Sequence, residues 1–250
     1  MRSVPRDGAQ RKNVSLAKGS GASSPCAACT IRDLSVCAAL NESELLLLRG
    51  IATDIKVAGR KTIIQEGEPA QHLFNVTGGA VKLYKLLPDG RRQITGFLFP
   101  GDFLGLALND HYAYSAEAIS EVCLCRFPRR KLEGLLDRFP KMERRLLGMA
   151  SNELAAAQDQ MLLLGRKTAA EKVASFLLLL SHRAAERGWP DNPVSLPMTR
   201  SDIGDCLGLT IETVSRIITR FKKSGLISMA HNDLVIFERR NELQRIADSM

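Results

Sequence analysis

No long hydrophobic run occurs in this sequence. Its apolar stretches are short, as in Phe176 to Leu180, and none approaches the ~18 residues needed to cross a bilayer. The N-terminus, MRSVPRDGAQRKNVSLAKGS, is basic but lacks the apolar segment that marks secretion. These absences argue against a membrane span and lead to the expectation of a cytosolic protein. The materials of an enzyme are missing too: there is no phosphate-binding loop, no nucleophile with a base nearby in sequence, and no paired-carboxylate motif. The four histidines, His72, His111, His182 and His231, are scattered without ligand spacing and are expected to be structural.

What is present suits a folded chain. The 250 residues are 45% hydrophobic and 25% charged, enough to bury a core, which excludes disorder throughout and leaves room for one large domain or two modest ones. A net charge of +8 is compatible with a nucleic-acid partner, yet residues 1–25 carry +4 of it and residues 166–250 carry +3. Half of the surplus therefore lies in a Gly, Ser, Ala and Arg-rich tail without periodicity, expected to be flexible. Charge alone is a weak pointer. The six cysteines say more, because in a reducing compartment thiols are metal-binding, catalytic or packed rather than a disulfide framework.

The texture changes twice along the chain. Asn41 with Glu44 three residues on reads as the capped start of a short helix ending near Gly50. From about 55 to 127, glycines separate short β-branched and aromatic runs (KTIIQEG, HLFNVTGG, AVKLYKLL, QITGFLF, EVCLCRF), with Pro88-Asp89-Gly90 as a hairpin turn. That pattern predicts a β-sandwich or barrel. After Pro128 it becomes helical. Leu147, Ala150, Leu154, Ala157, Met161 and Leu164 recur at alternating steps of three and four, a narrow seam that suits two long helices lying against each other; a core helix of a single domain is the alternative. Gly165 ends that helix, Thr168 and Glu171 form a capping box for the next, and Trp189 to Pro193 reads as a loop.

The segment MTRSDIGDCLGLTIETVSRIITRFKKSGLI carries the most information. Thr199 and Asp202 cap a helix over 200–207, Gly208 stops it, and a second helix starts at Thr210, which is a helix-turn-helix. On the second helix Ile211, Val214, Ile217, Ile218 and Phe221 share one side, and Glu212, Ser215, Arg216, Thr219, Arg220 and Lys223 the other. Arg216 can bridge guanine O6 and N7, Glu212 can accept from cytosine N4, and Ser215 can bond a base or phosphate. Arg220, Lys222 and Lys223 suit the DNA backbone, and Thr199, Arg200 and Thr210 at the two helix starts complete the candidate set. A solvated amphipathic helix with a Glu212–Arg216 pair is the bland alternative. A following hairpin, turning at His231-Asn232-Asp233, reads as a wing.

Taken together, QITGF (93–97), PGDFLG (100–105), QMLLLGRKTAAEKVASF (160–176) and the helix-turn-helix segment (198–227) resemble the CRP/FNR superfamily of bacterial transcription regulators, and its FNR branch, over about residues 26–240. The resemblance implies an α+β chain with an N-terminal antiparallel β-roll, cyclic-nucleotide-binding-like, then a long dimerisation helix and a C-terminal winged helix-turn-helix. It divides the chain into a tail (1–25), a cluster segment and β-roll (26–140), a dimerisation helix (141–165) and a DNA-binding domain (166–250). It assigns base recognition to the E-x-x-S-R signature, here Glu212, Ser215 and Arg216, at inverted repeats with TTGAT-like half-sites. Double-stranded DNA, a second copy of the chain and RNA polymerase are the implied partners, the last through the turn at Pro88 to Arg92. Cyclic-nucleotide receptors of the superfamily carry a Gly-Glu-Leu element and an Arg-Ser pair. The corresponding positions here read Gly105-Leu106 and Tyr114-Ser115, so no cyclic nucleotide is expected.

FNR-type sensors hold a 4Fe-4S cluster, one per monomer, through N-terminal cysteines and one cysteine of the roll. Cys26, Cys29 and Cys37 resemble the N-terminal set, in the spacing of one FNR-like group. Cys123 and Cys125 are two steps apart on a strand and face the same way, so periodicity leaves both open as the fourth ligand. The resemblance, a cysteine followed by an apolar-Pro pair, favours Cys125 in Cys125-Arg126-Phe127-Pro128. Zinc in the same thiolates and a reversible Cys26–Cys29 disulfide are the rival uses, and a regulator that does without a cluster, responding by cysteine oxidation or by abundance alone, is the alternative function. Cys206, inside the first helix of the DNA-binding motif, reads as a packed residue.

Overall fold

The computed structural model describes Cys26 and residues 29–106, 110–231 and 233–248. The expected tail lies outside these residues, as does Asn232 at the expected wing turn. Two 3-10 turns, Arg32–Leu34 and Val36–Ala39, lead into helix α1 (Glu42–Ile51), which starts at the expected Asn41–Glu44 capping box.

Eight strands follow, β1 (Thr53–Val57), β2 (Thr62–Ile64), β3 (His72–Gly78), β4 (Val81–Leu86), β5 (Arg92–Leu98), β6 (Phe103–Leu104), β7 (Ser115–Ala118) and β8 (Val122–Pro128). They form two antiparallel sheets, ordered β1-β8-β3-β6 and β2-β7-β4-β5. Phe74, Val76, Leu83, Leu98, Val122 and Leu124 fill the space between them. The expected hairpin joins β4 to β5, and Gly90 takes φ +86° in it, a conformation side chains disfavour. Strand β7 reads Ser-Ala-Glu-Ala, a composition with little strand propensity, and is held as a strand by pairing on both sides with β2 and β4.

Strand β8 has two buried faces. Val122 and Leu124 point into the roll, whereas Cys125 and Phe127 point out of it, towards a second apolar cluster made with Val36, Leu40, Leu48, Leu132, Met142 and Leu146. This outer face receives the cysteine-bearing segment.

The helical run after Pro128 is broken once, into α2 (Arg129–Arg138) and α3 (Pro140–Arg166), with Pro140 in the first turn of α3 where its missing N–H is harmless. Helix α4 (Ala169–Glu186) starts at the Thr168–Glu171 capping box. The C-terminal part adds β9 (Val194–Ser195), α5 (Arg200–Leu207), α6 (Ile211–Lys223), the β10–β11 wing (Ile227–His231, Leu234–Phe237) and α7 (Arg240–Asp248). Its core of Val173, Leu177, Ile203, Leu207, Val214, Ile218 and Phe221 takes in Ile94 and Phe97 from β5, so the roll and the helix-turn-helix share a hydrophobic contact.

That contact carries charge as well. The Asp202 carboxylate, on a residue 4% exposed, receives Lys82 Nζ at 2.9 Å and Arg92 at 3.1 Å, and Arg92 also reaches Asp205 at 2.7 Å. Asp102 of the PGDF loop holds Arg183 and Arg187 of α4 at 2.8 and 2.5 Å. Among the described residues no helix is long and apolar enough to cross a membrane.

Candidate nucleic-acid interface and cysteine cavity

The helix-turn-helix forms as its sequence dictates. The Thr199 hydroxyl accepts from the Asp202 amide at 3.1 Å and donates to the Asp202 carboxylate at 2.7 Å, so it is spent on capping α5. Gly208 closes α5 in the left-handed conformation. Gly204 faces the turn so tightly that an added Cβ would lie 2.6 Å from the Leu209 carbonyl oxygen. Thr210 caps α6 through the Thr213 amide.

Helix α6 buries Val214, Ile217, Ile218 and Phe221, as its periodicity requires. Ile211 departs from the expectation: it is 46% exposed, because as the first residue of the helix it projects beyond the surface that α5 and α4 cover. Glu212, Ser215, Arg216, Thr219, Arg220, Lys222 and Lys223 are all exposed. Arg216 donates to the Thr213 hydroxyl at 3.3 Å and closes no ion pair with Glu212, so the i,i+4 pair of the bland reading does not form. The Glu212 carboxyl is held below its usual range by its own amide and the Thr210 hydroxyl, with Arg216 adding a smaller pull, and it stays an acceptor.

Sequence reasoning missed part of this surface. The first turn of α4, Thr168 to Ala170, faces Thr213, Arg216 and Arg220 across an open groove. A helix N-terminus beside two guanidinium groups attracts anions. The capping box was the available signal, but only the fold brings it against α6. Arg200 is half-buried against the wing, donating to Met229 Sδ at 3.3 Å, while its Nη1 has no partner. Burial pushes its pKa below the usual arginine value, as fits a cation without a facing carboxylate.

On α3, Leu147, Leu154 and Met161 are 66%, 63% and 70% exposed, Ala157 is exposed and Ala150 half-buried. Leu164 differs: it is half-buried against the C-terminal core, near Gly208, because the last turn of α3 is where the DNA-binding part docks. Leu162, absent from the seam, is also exposed.

The cysteines are all thiols. Cys26, Cys29, Cys37 and Cys125 line a single cavity, together with Arg32, Arg49, Asn75 and apolar side chains. Cys123 is not in its lining; it lies against Gly78. Two residues along a strand cover about 7 Å, and this displacement separates two cysteines that share a face. Cys125 Sγ donates to Asp54 at 3.6 Å, and Asp54 is gripped by Arg49 through both oxygens at 2.7 Å. Burial, reinforced by the Asp54 charge, pushes the Cys125 thiol up to about 12, and burial likewise raises Cys37. The thiols line the cavity without closing on a point: among the described residues no three His, Cys, Asp or Glu groups stand as a formed metal site. Cys206 is buried in α5, its thiol raised to about 12 by burial, with Gln160 Nε2 at 3.6 Å from the sulfur and bonded to its carbonyl.

A β-roll joined through a long exposed helix to a winged helix-turn-helix defines a DNA-binding regulator. Residues 55–139 match the family model described as a cyclic nucleotide-binding domain, and residues 171–246 match the Crp-like helix-turn-helix domain. The chain is 40% identical over 213 residues to the nitrogen fixation regulation protein FixK of Bradyrhizobium diazoefficiens, covering 85% of this chain and 90% of that one. It is 32% identical over 241 residues to the fumarate and nitrate reduction regulatory protein of Escherichia coli K12, covering 95% and 96%. Among solved structures, FixK2 from Bradyrhizobium japonicum superimposes with a TM-score of 0.74 at 40% identity, over 78% of this chain and 97% of that one. The chain belongs to the CRP/FNR family of transcription regulators, DNA-binding proteins rather than enzymes.

Proposed function

We propose that this regulator senses oxygen through a 4Fe-4S cluster held by Cys26, Cys29, Cys37 and Cys125, one per monomer, and that the cluster controls dimerisation and binding to TTGAT-like inverted repeats. The observation that carries the reading is the cavity: four thiols from two distant parts of the chain line it, and the two guanidiniums at its wall are already committed, Arg49 to Asp54 and Arg32 to the Leu40 carbonyl. The donor set fits. Thiol protons must leave for metal to bind, and burial raises the Cys37 and Cys125 thiols, so binding would release protons there. When bound, the cluster supplies reactivity towards oxygen.

The chain's own residues relay the state of the site. Arg145 of α3 donates to the Ser35 and Asp33 carbonyls at 2.6 and 2.7 Å, tying the cysteine segment to the dimerisation helix. Met142 and Leu146 of α3 pack in the same cluster as Val36 and Leu40. Ordering the segment therefore orders α3, whose exposed Leu147, Leu154 and Met161 pair with a second copy. A dimer sets two α6 helices about one DNA turn apart. Glu212, Ser215 and Arg216 then read bases, while Arg220, Lys222 and Lys223 hold phosphates; Thr210 serves as the cap of α6 and Arg200 packs against the wing at the start of α5. The exposed Pro88 to Arg91 turn is the surface offered to RNA polymerase; Arg92 is engaged by Asp202 and Asp205. Cyclic nucleotides are not the signal: the Tyr114 hydroxyl accepts from the Gly105 amide at 3.0 Å, in the segment where a nucleotide-binding roll holds its ligand. The regulator works in the cytoplasm.

Anaerobic purification with iron, sulfide and operator-affinity measurements tests the reading. About four irons and four sulfides per chain are expected, with loss of dimer and of operator affinity on exposure to air. A chain that holds no iron, or whose affinity ignores oxygen, overturns it.

A further inference from the structure

Asn75 occupies the centre of β3, where strands favour β-branched and aromatic residues and disfavour asparagine. It is 2% exposed, and its Oδ1 has no hydrogen-bond partner. It stands directly across the ladder from Cys125 and lines the cavity that Cys26, Cys29 and Cys37 also line. The other polar side chains at this wall are engaged: Arg49 with Asp54, and Arg32 with the Leu40 carbonyl.

A buried amide end without a partner costs free energy, and such a group in a native chain calls for an explanation. Here the explanation is a partner that arrives with the ligand. An amide rotated by half a turn about its terminal torsion presents N–H in place of oxygen within the same volume. Cysteine-held iron-sulfur groups are tuned by hydrogen bonds to their sulfurs.

We propose that the Asn75 side-chain N–H donates to a sulfur of the cluster or its cysteine ligands, retaining the cluster and setting its reduction potential. The proposal rests on the cluster reading above. It makes Asn75 a positioning residue of the site.

The test reconstitutes the full chain anaerobically as wild type, Asn75→Leu and Asn75→Asp. It measures iron and sulfide content, cluster loss to a chelator, reduction potential, and thermal unfolding of the iron-free chains. Iron-free Asn75→Leu is expected to be at least as stable as wild type, since an unpaired amide has been removed. Its cluster is expected to be lost about 10-fold faster, the range found for groups supporting metal ligands, and its potential to fall. Asn75→Asp offers acceptors in place of the donor and is expected to lower the potential also, which covers the case in which Asn75→Leu does not fold. Unchanged retention and potential in these variants overturn the proposal, as does a marked loss of stability in iron-free Asn75→Leu. A wild type that takes up no iron or sulfide overturns the cluster reading and the proposal with it, and is read before any variant is made.

Discussion

Arg216 shows how far single residues carry the functional argument. The signature around it was legible because a helix-turn-helix has strict local requirements: a cap at Thr199, a stop at Gly208, a second cap at Thr210. Given those, the outward face of α6 follows from periodicity alone. What could not be read was the side-chain commitment: Thr199 is consumed by Asp202, and Arg216 bonds Thr213 rather than Glu212. We expect Arg216→Ala to weaken operator binding by about 1–3 kcal/mol, roughly 5- to 150-fold, and to relax preference at one base pair, while non-specific affinity changes little. Fluorescence anisotropy on the operator and on single-base variants measures both. Equal loss on specific and scrambled DNA would instead mark Arg216 as a phosphate contact.

At the scale of elements, α3 is the informative one. A helix whose residues 151–159 are all exposed is left largely uncovered over that stretch, with Glu153 beside Gly96 of β5 as a point of approach, and exposed leucines there are unfavourable unless covered. The a/d spacing identifies the stripe, and Leu164 at its end is half-buried because the repeat continues smoothly into the turn where α3 meets the DNA-binding part. Only the bend after Arg166 decides which neighbour it touches. Leu154→Glu is expected to leave the monomer folded, with an unfolding temperature near that of wild type, and to weaken self-association by more than about 2 kcal/mol, or roughly 30-fold. Sedimentation velocity across a concentration series reads the association. A variant that dimerises as tightly as wild type removes Leu154 from the interface.

For the whole molecule, the contact between the roll and α5 decides how the DNA reader is aimed. Burial alone would raise the Asp202 carboxyl, but the Thr199 hydroxyl and Lys82 hydrogen bonds prevail and hold it below the usual range. Its stabilising contribution is therefore fully present above the ordinary carboxylate pKa of about 3.9 and is lost as pH falls through the lower native value. Removing it strands Lys82 near an amide, with Glu117 as its remaining partner at 2.9 Å. Asp202→Asn is expected to cost about 1–3 kcal/mol at neutral pH. The difference from wild type should hold steady down to about pH 5 and shrink below about pH 4. Thermal unfolding of both proteins across that range tests this, and a pH-independent difference would mean that the charge is not what Asp202 contributes.

The sequence by itself determined what depends on neighbours a few residues away: the capping boxes at Asn41, Thr168 and Thr199, the glycine stop at 208, the Pro88–Gly90 hairpin and the outward face of α6. These are local hydrogen-bond and rotamer preferences, which a short window contains. The tertiary structure decided what depends on distant chain. It put Cys125 rather than Cys123 at the cavity, through the register of β8 on β3, and it seated Asn75 opposite. It turned Leu164 inward, built the groove between α4 and α6, and joined Lys82 and Arg92 to Asp202. Each is a meeting of residues far apart in sequence, whose only physical cause is packing of one element against another.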